Sequence, residues 1–104
     1  VTYHRYYPST VNSDVPAALA LAAAQAVGLQ AEVAPRPAFT SEDFAFMLRE
    51  RPGAYLWLGQ GGSDHPLHHP CYDFNDDALP HGVRWFCAVA ELALSADASS
   101  SPTR

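Results

Sequence analysis

The residues best suited to chemistry are concentrated in the segment "LHHPCYDFNDD", residues 67–77, and in the loop just before it. Imidazole and carboxylate groups are common ligands of zinc and manganese, and a loop after a buried strand is a usual place for them. The spacing matches neither a His-Glu-x-x-His motif nor a Cys-x-x-Cys pair. The candidate metal ligands are Asp64, His65, His68, His69, Asp73, Asp76 and Asp77.

The same residues also have ordinary structural explanations. Asp76 or Asp77 could cap the helix that follows, Asp73 could close a turn, and His65 could be solvated. Cys71 could be a thiolate ligand or a nucleophile, but no other feature of the sequence supports that role. Residue types alone therefore leave a metal site and a polar loop as open alternatives.

Composition restricts the classes of protein to which the chain can belong. Its 104 residues suit a single domain, and 48% hydrophobic against 16% charged residues indicates a globular chain. The formal net charge of -5 argues against nucleic-acid binding, and six Lys and Arg residues are too few for a membrane-surface helix. Because no apolar run reaches the roughly 18 residues of a spanning helix, we expect no membrane segment and a cytoplasmic protein. The two cysteines are expected to be free thiols.

The elements that must position the polar segment are predicted to alternate between strand and helix. Strands are predicted at residues 1–7, 29–35 and 54–59, where β-branched, aromatic or alternating apolar residues occur. The last of these, "AYLWLG", is nearly continuously apolar, which indicates a strand buried on both faces. This alternation predicts an α/β fold with a mixed, partly parallel sheet and flanking helices.

The first and third helices have clear local signals. The first is predicted to begin at Ser13 or Asp14 and to end near Gly28. The third is predicted from about residue 77 to residue 94, before a polar tail that is expected to be disordered. Its predicted inward face consists of Val83, Phe86, Ala90 and Ala93.

The second helix is predicted to follow "FTSED". Thr40 or Ser41 can cap its first turn, where the helix dipole favours Glu42 and Asp43. We expect Ser41, Glu42 and Asp43 to act mainly as this N-terminal turn and only secondarily as support for a site.

Three blocks, taken in order, carry a family resemblance: "YYPSTVNSD", "SEDFAFMLRERPGAYLWLGQG" and "LHHPCYDFNDDALPHGVRWFCAVAELAL". From about residue 3 to residue 94, the chain resembles the C-terminal end of the hippurate hydrolase and N-acyl-amino-acid amidohydrolase branch of the aminoacylase and carboxypeptidase metallopeptidases. The resemblance implies a zinc-peptidase-like α/β catalytic domain with an inserted lid and dimerisation domain. Residues 1–12 would end the lid domain, residues 13–95 would belong to the catalytic domain, and residues 96–104 would form the tail.

The resemblance also implies a site. Two divalent metal ions, zinc or manganese, would hold a bridging water that cleaves the amide bond of an N-acyl amino acid such as hippurate. The histidine of the Leu-His-x-Pro block, which is a metal ligand in the family, corresponds to His68. Pro70 favours an extended His69, so that the two neighbouring imidazoles would point to opposite sides. Further residues that could support the metal site or contact substrate are Asn12, Ser41, Glu42, Asp43, His69 and Asp73.

The family's other ligands and its glutamate base lie in upstream motifs that this sequence does not contain. No catalytic residue is therefore expected in this chain, and the chain alone is expected to be inactive. The complete enzyme would be a homodimer that acts on a small N-acyl amino acid or a dipeptide-like molecule. The alternative is a non-catalytic binding or dimerisation module derived from the same fold.

Overall fold

The computed structural model describes residues 1–4, 6–62 and 64–100, with side-chain surroundings up to residue 96. Helix α1 spans Asp14–Ala26, α2 spans Phe44–Glu50, a short 3-10 helix spans Asp76–Ala78, and α3 spans Leu79–Ser100. The three predicted helices are all present in this order. Helix α3 continues through residue 100, and the rest of the tail that was expected to be disordered, residues 101–104, lies outside the described part.

The predicted strands are not formed in the described residues, which contain helices but no strand. A strand requires a neighbouring chain segment to complete its ladder of backbone hydrogen bonds, and the described parts of the three predicted strands form no such ladder. The expectation that residues 54–59 are buried on both faces is also wrong for this chain, since Trp57 is 63% exposed. The described residues thus supply the helices of the predicted α/β arrangement without its sheet.

Helix α1 begins and ends where the local signals predict. Ser13 is its N-cap residue, although its side chain makes no capping hydrogen bond within the helix. At the other end, the Gly28 N–H donates to the Gln25 carbonyl at 3.0 Å and the Leu29 N–H donates to the Ala24 carbonyl at 2.9 Å. This pair of bonds is a Schellman motif, and it requires the left-handed backbone of Gly28, whose φ is +74°. Glycine adopts that conformation without steric cost.

Helix α3 packs against α1 through a face different from the predicted one. Val83 and Phe86, which were expected to face inward, are 61% and 67% exposed. The inward face instead includes Ala88, which is buried, and Trp85, whose indole N–H donates to the Ala20 carbonyl at 3.0 Å. This hydrogen bond and the small size of the alanines at the contact fix the rotation of α3 about its axis.

The buried core of the described residues is made of alanines. The buried hydrophobic side chains are Ala20, Ala23, Ala24, Ala45, Ala78 and Ala88. The radius of gyration is 17.0 Å, whereas a compact domain of about 100 residues has a value of about 13 Å. Large side chains such as Phe39 and Trp57 remain on the surface. The described chain is therefore a thin layer of helices and loops, and the polar segment lies on its surface.

Candidate functional site

The polar segment lies in a loop whose two ends are tied together by one asparagine. The Asn75 side-chain amide donates to the Gln60 carbonyl at 2.8 Å, and the Asn75 backbone N–H donates to Oε1 of Gln60 at 3.0 Å. Oδ1 of Asn75 also accepts a hydrogen bond from the Asp77 N–H at 3.1 Å, which caps the 3-10 helix. The capping that was expected of Asp76 or Asp77 is thus done by Asn75, because its side chain precedes the first helical residue and reaches the free N–H groups.

Two successive turns shape the centre of the loop. The His69 N–H donates to the Pro66 carbonyl at 3.1 Å, and the Tyr72 N–H donates to the His69 carbonyl at 2.9 Å. His68 is the third residue of the first turn and has a left-handed backbone with φ of 70°. A non-glycine residue in this region is uncommon and strained, and such residues are concentrated at functional sites. The side chain of His68 is exposed at this point of the loop.

The turns bring together three side chains that do not include His68. The rings of His65 and His69 are stacked with their centroids 4.2 Å apart and their planes 3° apart. Nδ1 of His69 accepts a hydrogen bond from the Cys71 N–H at 3.1 Å. One ligand atom from each of His65, His69 and Cys71 lies within 4.8 Å of the others. The local geometry thus places His69 in a cluster with His65 and Cys71, and the imidazole of His68 lies outside this cluster.

A shallow cleft of about 580 Å³ adjoins this cluster. The side chains that line it include Asp64, His65, Cys71, Asp73 and Asp76. The loop therefore gathers four of the candidate metal ligands, together with Cys71, around one opening. Sequence reasoning gave Cys71 little weight, although its position two residues after His69 and beside Pro70 was a signal that the thiol could turn back towards the imidazole. Both cysteines are free, as predicted.

Asn12 acts as a clamp on the segment that leads into this loop. Its Oδ1 accepts from the Tyr55 N–H at 2.8 Å, and its amide nitrogen donates to the Tyr55 carbonyl at 3.0 Å. The adjacent Ser13 N–H donates to the Gly53 carbonyl at 2.9 Å. Asn12 was predicted as a residue that supports the site or contacts substrate. The structure shows it bonded to the backbone of residue 55, where it orients the segment before the polar loop.

Ser41, Glu42 and Asp43 lie at the start of α2, but without the side-chain cap that was expected. Asp43 is the N-cap residue and makes no side-chain capping hydrogen bond. The turn is instead closed by backbone bonds, in which the Ala45 N–H donates to the Glu42 carbonyl at 3.2 Å and the Phe46 N–H donates to the Asp43 carbonyl at 2.9 Å. The N-cap residue is itself in the right-handed helical region, where its side chain is not directed back to the free N–H groups.

Glu42 has a second role beside Tyr55. Partial burial, together with a hydrogen bond and a like-signed charge from the Glu42 carboxylate, raises the pKa of the Tyr55 phenol above its usual value. Burial, the hydrogen bond and the nearby negative charge all favour the neutral phenol over the phenolate. The contact links the start of α2 to the segment that Asn12 clamps, so that the two predicted support residues meet at Tyr55.

The residues present suit a divalent metal ion by chemical type. Imidazole and thiolate groups are typical zinc ligands, and carboxylates are accepted by both zinc and manganese. His68 could donate one imidazole nitrogen to an ion held mainly by other groups. The cluster of His65, His69 and Cys71 could supply several ligands of its own.

Comparison with known proteins identifies the family. The sequence profile of the peptidase family M20/M25/M40 matches residues 1–92. The chain belongs to this family. The family suggests the α/β zinc-peptidase fold, although the described residues show only its helices.

Three relatives illustrate the chemistry found among similar proteins. A probable hydrolase of Synechocystis sp. is 38% identical over 89 residues, which cover 80% of this chain and 23% of the relative. An IAA-amino acid hydrolase of Arabidopsis thaliana is 33% identical over 82 residues, covering 75% of this chain and 19% of the relative. An N-acetyl-L-cysteine deacetylase of Bacillus subtilis is 33% identical over 79 residues, covering 76% of this chain and 18% of the relative. No solved structure matches the chain significantly.

This chain thus spans about a fifth of the length of these relatives. The family is one of peptidases, and the names of the three relatives describe hydrolases and a deacetylase. No helix in the described part of the chain is long and apolar enough to cross a membrane.

Proposed function

We propose that this chain is the C-terminal portion of a metal-dependent amidohydrolase that cleaves the amide bond of N-acyl amino acids, including hippurate-like substrates. The class of reaction is supported by the names of the relatives, which include an IAA-amino acid hydrolase and an N-acetyl-L-cysteine deacetylase. Both names describe removal of an acyl group from an amino acid. The proposed complete enzyme joins this chain to upstream sequence that carries the remaining ligands and the general base.

Within that enzyme, His68 is proposed as a ligand of one of two divalent ions, zinc or manganese. The observation that carries this assignment is its left-handed backbone, with φ of 70°, in the block that resembles the family's Leu-His-x-Pro motif. The proposal is supported by the exposure of His68 and by its match in sequence to the histidine of that motif. A divalent ion would supply Lewis acidity towards the substrate carbonyl and make water nucleophilic near neutral pH.

The other residues of this chain are proposed to position His68. Asn12 holds the backbone of Tyr55 at the start of the segment that leads into the loop, and Asn75 closes the loop at its base. Residues 1–12 are proposed to end the lid domain, and residues 13–95 to belong to the catalytic domain. Homodimerisation of the complete enzyme and its cytoplasmic location remain predictions.

The test compares the purified chain with the proposed complete enzyme, using hippurate and N-acetyl amino acids with added zinc or manganese. We expect no turnover by the chain alone, because it contains one proposed ligand of the two-metal site and no general base. The complete enzyme should hydrolyse at least one substrate and lose that activity to a chelator. Chelator-sensitive turnover by the chain alone would contradict this division of the site. An intact longer protein that hydrolyses none of these amides would favour the non-catalytic binding or dimerisation module.

A further inference from the structure

We propose that His65, His69 and Cys71 form a zinc-binding site of their own, which does not use His68. The one observation that carries this proposal is that a ligand atom from each of these residues lies within 4.8 Å of the others. Imidazole and thiolate are each common zinc ligands. This inference goes beyond the proposed hydrolase function, because it requires neither the upstream ligands nor catalysis.

The backbone of the loop places the three side chains together. The turn from Pro66 to His69 and the following turn from His69 to Tyr72 reverse the chain twice within seven residues. His65 is thereby stacked on His69 at a centroid separation of 4.2 Å, and the Cys71 N–H donates a hydrogen bond to Nδ1 of His69 at 3.1 Å. Because these bonds and turns lie within one loop, little chain entropy is lost when an ion joins the three residues.

The separation of the donor atoms is close to what zinc requires. With Zn–S near 2.3 Å and Zn–N near 2.0–2.1 Å, the donors of a tetrahedral ion lie about 3.3–3.6 Å apart. A closure of about 1.2–1.5 Å from the present limit of 4.8 Å is therefore sufficient. The two imidazole planes are 3° apart, so one ring must also turn out of the stack to direct its lone pair at a shared ion. The exposure of His69 and Cys71 leaves room for these changes.

The hydrogen bond between Cys71 and His69 identifies the donor atom of His69. Because the Cys71 N–H donates to Nδ1, the neutral ring carries its proton at Nε2 and directs the Nδ1 lone pair towards Cys71. An ion bound by Nδ1 would replace this amide donor. The Cys71 thiol would lose its proton on binding, so that one proton is released to solvent for each ion bound.

The remaining coordination position faces the cleft. Asp64 and Asp73 line the same opening as His65 and Cys71, which offers a carboxylate or a water as the fourth ligand. The thiolate and imidazole donors favour zinc over manganese, because manganese prefers oxygen ligands. An ion at this site would join the two turns, the first of which contains His68, and so restrict the loop that carries it.

The first experiment uses Co²⁺ as a spectroscopic probe of the purified chain. We expect a thiolate-to-cobalt charge-transfer band. Zn²⁺ should displace Co²⁺ and abolish this band, whereas an equal concentration of Mn²⁺ should leave it in place. His69→Ala and Cys71→Ser should weaken Co²⁺ binding on the order of 100-fold or more, since loss of even an outer partner of a ligand costs about 10- to 100-fold. His68→Ala should leave the band unchanged, and so should Cys87→Ser, the matched control that removes the other exposed thiol.

A second measurement tests the same site with Zn²⁺ itself and does not require Co²⁺. Zn²⁺ should slow the alkylation of Cys71 by iodoacetamide, measured by mass spectrometry, while Cys87 in the same molecule reacts at its metal-free rate. Absence of a thiolate band, or equal protection of the two cysteines, would overturn the proposal. Loss of the band in His68→Ala with retention in His65→Ala would also overturn it. None of these outcomes depends on amide hydrolysis by the complete enzyme, so the two proposals can fail separately.

Discussion

The clamp between Asn12 and Tyr55 gives a quantitative prediction about the segment that precedes the polar loop. Asn12→Ala removes a hydrogen bond of 2.8 Å to the Tyr55 N–H and one of 3.0 Å to the Tyr55 carbonyl. A typical intramolecular hydrogen bond contributes about 0.5–1.5 kcal/mol net. Because Asn12 is exposed and water can replace the lost partner, the lower part of this range applies, or about 1–2 kcal/mol for the pair.

Amide hydrogen exchange followed by NMR measures this change at the residue concerned. A loss of about 1–2 kcal/mol corresponds to roughly 5- to 30-fold faster exchange of the Tyr55 amide, if its opening is limited by this clamp. The matched control is Gln30→Ala, which truncates an exposed amide side chain elsewhere in the chain, and we expect it to leave Tyr55 exchange unchanged. Equal exchange rates in the wild type and Asn12→Ala would refute the role of Asn12 as a clamp.

Two further predictions concern side chains that hold the elements together. Glu42→Gln should lower the raised pKa of the Tyr55 phenol towards its usual value of about 10, as measured by ultraviolet titration against a Tyr55→Phe reference. An unchanged pKa would contradict the contribution of Glu42. Since the folded-state pKa is raised, the associated stability is present below the unfolded pKa and is lost as the pH rises through the folded pKa. Trp85→Phe should lower the free energy of unfolding by about 0.5–1.5 kcal/mol through loss of the hydrogen bond to Ala20. Trp57→Phe, at an exposed position, should change it by less than about 0.5 kcal/mol in the same urea titration, and equal effects of the two substitutions would contradict the proposed contact.

The helices could be predicted from sequence because their signals are local. Ser13 and Gly28 mark the two ends of α1, and the backbone bonds at those ends involve only neighbouring residues. The strands depend instead on partners distant in sequence. Residues 54–59 have the composition of a buried strand, but the described chain provides no ladder beside them. The inward face of α3 was likewise set by a long-range bond, from Trp85 to the carbonyl of Ala20, which periodicity cannot reveal.

At the candidate site too, some features follow from the local sequence and others from contacts that only the structure shows. Residue types identified the loop and its two adjacent histidines. An extended conformation was expected of His69, but the left-handed backbone of the preceding His68 was not anticipated. That single conformation, together with the turns at Pro66 and Tyr72, decides that His69 meets His65 and Cys71. The pairing of these side chains follows from the geometry of the loop, which residue types do not reveal.

The most direct test of the proposed function compares His68→Ala with His69→Ala in the complete enzyme. The measurement is kcat/KM for hydrolysis of the best N-acyl amino acid substrate, with the metal content of each protein determined in parallel. We predict that His68→Ala loses activity on the order of 100-fold or more, because a metal ligand is removed. His69→Ala should retain activity within a few-fold of the wild type, even if it loses an ion from the cluster with Cys71. Full activity in His68→Ala, with collapse in His69→Ala, would contradict the assignment of His68 as the catalytic metal ligand.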